Sequence, residues 1–319
     1  MSEKDSKFPV ETDGQLYTRM RPRLVSDTIA LAEAETEEVE SEIVTGTVKA
    51  SKSDPFFEPG EHNYKMTSSP RGIALVINNM DFNEGPTKND LMRARTGSDV
   101  DSFRIERLFE RLNFVVLRHR NLKASEMLKV IKRFSKKSEH KEMDSALVFI
   151  MSHGSSGDIV FGSDAEPVNY NAILNMFNNN DCKNLVGKPK MFFFQACRGD
   201  NIDLGVVHKG THNDAHPLEE SKSYEDESKL PSRSDILVAS STIPGNTSYR
   251  NQATGSWFVE IIFKVFAESA CNRHLVDMLT EVANELSKRQ TEDGEKQGPE
   301  TILQSWRKNL YFNPGHFKL

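Results

Sequence analysis

Short apolar runs closed by turn-forming residues alternate along this chain with stretches in which apolar positions recur every three or four residues. Ile73-Ala74-Leu75-Val76-Ile77, Phe114-Val115-Val116-Leu117, Ala146-Leu147-Val148-Phe149-Ile150-Met151, Met191-Phe192-Phe193-Phe194 and Ile236-Leu237-Val238-Ala239-Ser240 are such runs. Continuous rather than alternating hydrophobicity predicts strands buried on both faces. Between the first two runs, Asp99 to Leu112 places Val100, Phe103, Leu108 and Leu112 near one helical stripe. A helix capped by Ser125 shares Leu128, Ile131 and Phe134 on one face, and another is predicted near Tyr170 to Phe177. Two longer amphipathic stretches cover Ser256 to Glu268 and His274 to Lys288. The final run, Asn309-Leu310-Tyr311-Phe312, is predicted as a strand at an edge of the sheet. The βαβ rhythm predicts an α/β fold, a mostly parallel central sheet with helices on both faces.

Two segments break the rhythm. From Met1 to about Tyr64 the chain is polar and carries the acidic stretch Glu33 to Glu40. So little apolar surface cannot offset the entropy of ordering, which predicts a flexible extension. Between Asn201 and Lys229, Gly205, Gly210, Pro217 and several charges make a run too long for an ordinary connection inside a domain. Such a loop is functional or severed. The predicted divisions are 1–65 (extension), 66–200 (first catalytic part), 201–229 (linker) and 230–319 (second catalytic part).

Composition narrows the function. The 319 residues include 41 basic and 47 acidic side chains, a formal charge of −6, which opposes a general nucleic-acid surface. No apolar run approaches the roughly 18 residues of a membrane span, and the start Met1-Ser2-Glu3-Lys4-Asp5 leads into no apolar core, so a cytoplasmic protein with neither a membrane span nor a secretory signal is expected. Three cysteines, Cys182, Cys197 and Cys271, with no C-x-x-C pair, predict neither a disulfide framework nor a zinc cluster. Any functional cysteine is then expected to act as a thiol.

In an open parallel sheet, ligands bind beyond the carboxyl ends of the strands. One run ends in Ser152-His153-Gly154 and another in Gln195-Ala196-Cys197-Arg198-Gly199. A thiolate at one strand end and an imidazole at its neighbour suit nucleophilic catalysis, and backbone N–H groups at Gly154 and Cys197 suit an oxyanion. Alone, either residue reads as structural.

Together they form a known pattern. Gln195-Ala196-Cys197-Arg198-Gly199, with His153 placed 44 residues before Cys197, is the caspase signature. From about residue 65 onward the chain resembles that family, nearest to its effector type with a short prodomain. The resemblance implies the caspase three-layer sandwich and a cysteine endopeptidase that cuts after aspartate, with no cofactor and no metal. It extends to Met92 to Asp101, which matches the stretch bearing one S1 arginine and so gives that role to Arg95. Gln195 matches the S1 glutamine, and Ser248-Tyr249-Arg250-Asn251 with Gly255-Ser256-Trp257-Phe258 matches the segment of the second S1 arginine, Arg250. By the same resemblance Tyr249 belongs to S2, Asn251 and Trp257 to S4, and the backbones of Ser248 and Arg250 pair with an extended substrate. Two guanidiniums and an amide suit one carboxylate, since arginine binds oxygen pairs bidentately.

One departure bears on specificity. Gln290 to Gly298 is short and polar, without the aromatic loop of effector members, so an open S4 pocket is expected. No Asn or Asp partner for His153 is apparent; the resemblance implies a backbone carbonyl in that place, and therefore a dyad.

The family likeness also implies a zymogen cut at aspartate. Candidate positions are Asp203, Asp214 and Asp226 in the linker, with Asp214 favoured by the small Ala215 after it, and Asp13 and Asp27 in the extension, Asp54 being disfavoured by Pro55. Expected partners are protein substrates, a second copy in a homodimer of large and small chain pairs, an upstream initiator caspase and inhibitor-of-apoptosis-type proteins. Several other motifs are set aside: Asn246-Thr247-Ser248 as a glycosylation acceptor, Arg198-Gly199-Asp200 as an adhesion tripeptide, with Asp200 read as structural, and His208, His212 and His216 as metal ligands. Two competing readings are a related Cys/His protease of other P1 preference, which Arg95, Gln195 and Arg250 oppose, and a catalytically silent scaffold, which the presence of both His153 and Cys197 opposes.

Overall fold

The computed structural model describes residues 47–51, 59–82, 92–205 and 230–315. The five continuous apolar runs form parallel strands: β1 (Gly72–Asn78), β2 (Phe114–Arg120), β3 (Ser145–Met151), β7 (Lys190–Gln195) and β8 (Ile236–Ser240). A sixth strand, β11 (Glu300–Gln304), pairs antiparallel with β8, giving the order β11-β8-β7-β3-β1-β2. A side sheet not foreseen from the sequence, β4 (Gly154–Ser155), β5 (Ile159–Phe161) and β6 (Pro167–Asn169), follows β3 directly.

Alternation along each strand builds two cores. Ala74, Val76, Leu147, Phe149, Met191 and Phe193 face α1 (Ser98–Arg111), α4 (Trp257–Ser269) and α5 (Leu275–Ser287). Ile73, Leu75, Val148, Ile150, Phe192 and Phe194 face α2 (Ala124–Ser135) and α3 (Tyr170–Asn175). Successive side chains of a strand point to opposite faces, so one apolar run serves both layers. The α/β expectation holds.

Details differ. The buried stripe of α1 is Ile105, Leu108 and Phe109, with Val100 and Phe103 only partly covered at its edge. Lys123, not Ser125, precedes α2; the Glu126 carboxylate accepts the Lys123 N–H at 2.9 Å and Asp164 accepts the Ala124 N–H at 3.0 Å.

The largest correction concerns the sheet edge. Leu310 to Phe312 is no strand: Leu310 and Phe312 are fully buried in the first core, and the Leu310 carbonyl accepts the Leu275 N–H that opens α5. Its hydrophobicity reflects burial beneath the helices, against the sheet. The true edge, Glu-Thr-Ile-Leu-Gln, is mostly polar and escapes a search for apolar runs, although Ile302 and Leu303 are 38% and 46% exposed.

Residues 47–51 and 59–65, expected to be part of a flexible extension, dock on the domain. Lys49 N–H donates to Ala267 O, Ser51 N–H to Pro314 O and Tyr64 N–H to Asn309 O, while the Tyr64 ring is buried. Among the described residues no helix is long and apolar enough to cross a membrane.

Candidate active site

β3 and β7 run in parallel with Met151 opposite Gln195, so the residues beyond their carboxyl ends emerge side by side. Ser152 N–H donates to Gln195 O, after which His153 and Cys197 follow on the two strands. A Cβ on Gly154 would stand 2.2 Å from the Cys197 carbonyl oxygen, so only glycine lets β4 leave the sheet this close to the thiol-bearing backbone.

The His153 Nε2 lies 2.8 Å from the Arg93 carbonyl oxygen, and its ring packs on Phe82. A proton on Nε2 donated to that carbonyl leaves Nδ1 as the acceptor. Burial holds the imidazole well below its ordinary value, to about 4; the Arg93 carbonyl opposes this, and the guanidiniums of Arg95 and Arg250 add to it. The ring is therefore neutral at pH 7. Cys197 is half-buried, and its Sγ accepts the Ser248 N–H at 3.4 Å. Cys182 is different: buried in the second core, its thiol donates to Ser135 O and is pushed up to about 11 by burial, which leaves it inert. Cys271 lies half-buried just past the end of α4, away from the strand ends.

Beside Cys197 the sequence-predicted S1 residues come together. Arg95 is 1% exposed, its Nη1 donating to Asn79 O at 3.1 Å and to Ser98 Oγ at 2.8 Å. Burial lowers its pKa from the ordinary value, with Arg250 adding to the effect and Asp101 opposing it; a guanidinium stays charged regardless. Arg250 is half-buried and donates from Nε to Thr96 O at 3.1 Å. Gln195 is buried; its Nε2 donates to Ser248 Oγ at 2.9 Å, while its Oε1 has no hydrogen-bond partner among the described residues.

The arginine segments are fastened together by residues that sequence reasoning passed over. Asp101 is fully buried and accepts the Ser256 N–H at 2.8 Å and the Ser256 hydroxyl, joining α1 to the start of α4. Burial pushes its carboxyl up to about 6, against the Ser256 bonds and the neighbouring Arg95 and Arg104. Arg104 donates to Thr254 O. Gly97, at φ 85°, closes the contact, since a Cβ there would lie 2.5 Å from Gln252 O. The signal for Asp101 was a carboxylate three residues after Gly-Ser, at a place where a helix start invites a surface reading.

The remaining predicted residues are arranged as follows. β9 (Arg250–Asn251) and β10 (Gly255–Ser256) form a short hairpin, and the Tyr249 and Trp257 rings meet at 5.1 Å. Asn251 Oδ1 accepts the Ala253 and Thr254 N–H groups, closing the hairpin turn. Arg198 is buried and joins three elements: it bonds Asp158 in the β4–β5 loop, Thr242 O after β8 and Glu300 at the start of β11. Asp200, read as structural, is exposed. Asp203 is half-buried and its carbonyl accepts the Lys296 N–H at 2.6 Å. Asp13, Asp27, Asp54, Asp214, Asp226 and the histidines 208, 212 and 216 lie outside the described residues.

Comparison with known proteins agrees with this geometry. Residues 71–311 match the family model described as the caspase domain. The chain is 37% identical to caspase-2 of Gallus gallus over 241 residues, covering 74% of this chain but 56% of that protein. It is 34% identical to caspase-3 of Bos taurus over 259 residues, covering 79% of this chain and 88% of the relative. Caspase drICE of Drosophila melanogaster shares 35% identity over 217 residues, 68% of this chain and 59% of that protein. With the family model spanning most of the chain and the signature residues meeting at two adjacent strand ends, the chain belongs to the caspase family of cysteine peptidases.

Proposed function

We propose that this protein is a cysteine endopeptidase that cuts protein substrates after aspartate. The observation that carries the reading is the convergence of Arg95, Gln195 and Arg250 beside Cys197. Two guanidiniums with one nearby buried carboxylate, Asp101, leave a net positive pocket, and a single P1 carboxylate matches it in charge and size. Turning the Gln195 amide over gives its partnerless end a donor toward that carboxylate.

In the reaction, neutral His153 accepts the thiol proton as Cys197 Sγ bonds to the carbonyl carbon. Backbone N–H groups of Gly154 and Cys197 stabilise the oxyanion. The C–N bond breaks as His153 returns the proton to the leaving amine. Water, its proton taken by His153, then attacks the thioester and releases the thiol. Tyr249 would contact P2, Asn251 and Trp257 the P4 side, and the Ser248 and Arg250 backbones an extended peptide.

The wider reading is an effector-type enzyme of the cytoplasm that executes apoptosis. It is made as a zymogen, cut in the linker (Asp214 favoured, Asp226 a poorer site because Glu227 follows it) and in the extension (Asp13 or Asp27) by an upstream initiator caspase, and restrained by inhibitor-of-apoptosis-type proteins. Its homodimer forms through β11, which among the described residues lies at one edge of the sheet and exposes Ile302 and Leu303. Hydrolysis of matched peptides with Asp, Glu, Asn or Arg at P1, by wild type and Cys197→Ala, tests the central claim. Preference for a residue other than Asp, or turnover that survives Cys197→Ala, overturns it.

A further inference from the structure

The hairpin β9–β10 orients the segment Ser248 to Asn251 in a way that leaves one backbone group needing a partner. Asn251 pairs with Gly255 and Arg250 with Ser256, and the Trp257 N–H donates to Tyr249 O at 3.3 Å. Backbone groups alternate in direction along an extended strand. Those of residues 249 and 251 therefore face the hairpin, and those of Ser248 and Arg250 face outward, where a substrate would pair. In a continuing ladder the Tyr249 N–H would donate to the Trp257 carbonyl. Trp257, however, is the first residue of α4, and its carbonyl turns into the helix.

Gln297 fills the gap. Its side chain is 2% exposed, its Oε1 accepts the Tyr249 N–H at 2.7 Å and its Nε2 donates to Ser241 O at 2.8 Å. Ser241 is in turn bound to the nucleophile strand: its N–H donates to Phe194 O and its hydroxyl to Ala196 O. One buried amide thus takes the place of a missing strand carbonyl and ties the substrate-facing edge to the strand that carries Cys197. We propose that Gln297 is a positioning residue for extended substrates: it holds the outward edge of Ser248 and Arg250 in register with Cys197, and so sets how much is gained from peptide residues beyond P1.

This inference rests on the peptidase reading above, and the experiment separates the two. The substrates are an acyl-tetrapeptide ending in Asp and a single acylated Asp, both with the same leaving group. Should wild type prefer another P1 residue, the Asp reading fails, and the same pair is built on that residue. Gln297→Met keeps the length and removes both hydrogen bonds. The ratio of kcat/KM for the long over the short substrate should fall about tenfold, mostly through the KM of the tetrapeptide, the size expected for one buried hydrogen bond. Gln297→Glu, which keeps the acceptor for Tyr249, should hold the ratio within about threefold. Equal losses on both substrates, or an unchanged ratio, would overturn the proposal, since a merely structural role has no dependence on peptide length. Amide exchange of the wild type supplies a check independent of folding of the variants. The Tyr249 N–H should be protected without ligand, and that of Arg250 should become protected only with a tetrapeptide aldehyde; an unprotected Tyr249 amide overturns the assignment.

Discussion

The two ends of the central sheet treat charge in opposite ways. At the amino ends of the strands, Asp235 is fully buried and accepts from the Tyr64 hydroxyl, the Ser234 hydroxyl and Arg307. Asp144 accepts the Thr67 and Ser68 N–H groups and pairs with Lys65, and buried Lys190 donates to the carbonyls of Leu185 and Lys188. At the carboxyl ends, Arg95 and Arg250 outnumber Asp101, Gln195 keeps a buried oxygen without a partner, and Cys197 stays half-exposed. At one end the buried charges are met by partners, and at the other positive charge stands in excess. Buried charges are costly unless paired, so an uncompensated cluster persists only where the remaining fold holds it.

That contrast can be broken from either end. The largest effect is expected for Cys197→Ala, which should lower peptide hydrolysis by at least about 10⁴-fold with an unchanged melting temperature. Asp235→Ala should do the reverse. It strips three donors of their buried acceptor and is expected to cost about 3–5 kcal/mol in a urea titration, while molecules that remain folded keep their kinetics. Comparable activity losses in the two variants would erase the distinction between the ends.

A smaller loss tests the cationic excess itself. Arg95→Gln removes one fork from the pocket and should lower kcat/KM for the Asp peptide about 100-fold, with a P1 Asn peptide far less affected, as measured by initial rates. The smallest effect is a change in pH response. Between the ordinary histidine value and about 4, the unfolded chain takes up a proton that His153 refuses, so acidification through that window lowers stability. Arg250→Gln removes a positive neighbour and should raise the His153 pKa, read from the His153 ring resonances in an NMR pH titration. An unchanged or lowered value would show that Arg250 does not act on the imidazole by its charge.

Much of this was legible in the chain before folding. Runs such as Met191 to Phe194 are long and apolar because both faces are covered, and that pattern survives without any knowledge of neighbours. His153, Cys197, Arg95, Gln195 and Arg250 stand out as candidates by their company in motifs rather than by type. What escaped depends on partners distant in sequence. Gln297 looks like a solvated residue of a polar loop until Tyr249 is placed 2.7 Å from it. Asp101 resembles an ordinary acidic first-turn residue until Ser256 closes over it. The strand at 300–304 is polar because one side is open, whereas Leu310 to Phe312 is apolar because it is buried beneath the helices.

The adjacency of β7 and β8 carries one last consequence. The linker that joins them leaves from one strand and returns to its immediate neighbour, and the two are paired from Lys190 to Phe194 against Ile236 to Ser240. Severing it would nick the polypeptide without dividing the domain. Two fragments should part on a denaturing gel yet travel as a single particle on a native column, because separating them means opening the middle of a sheet.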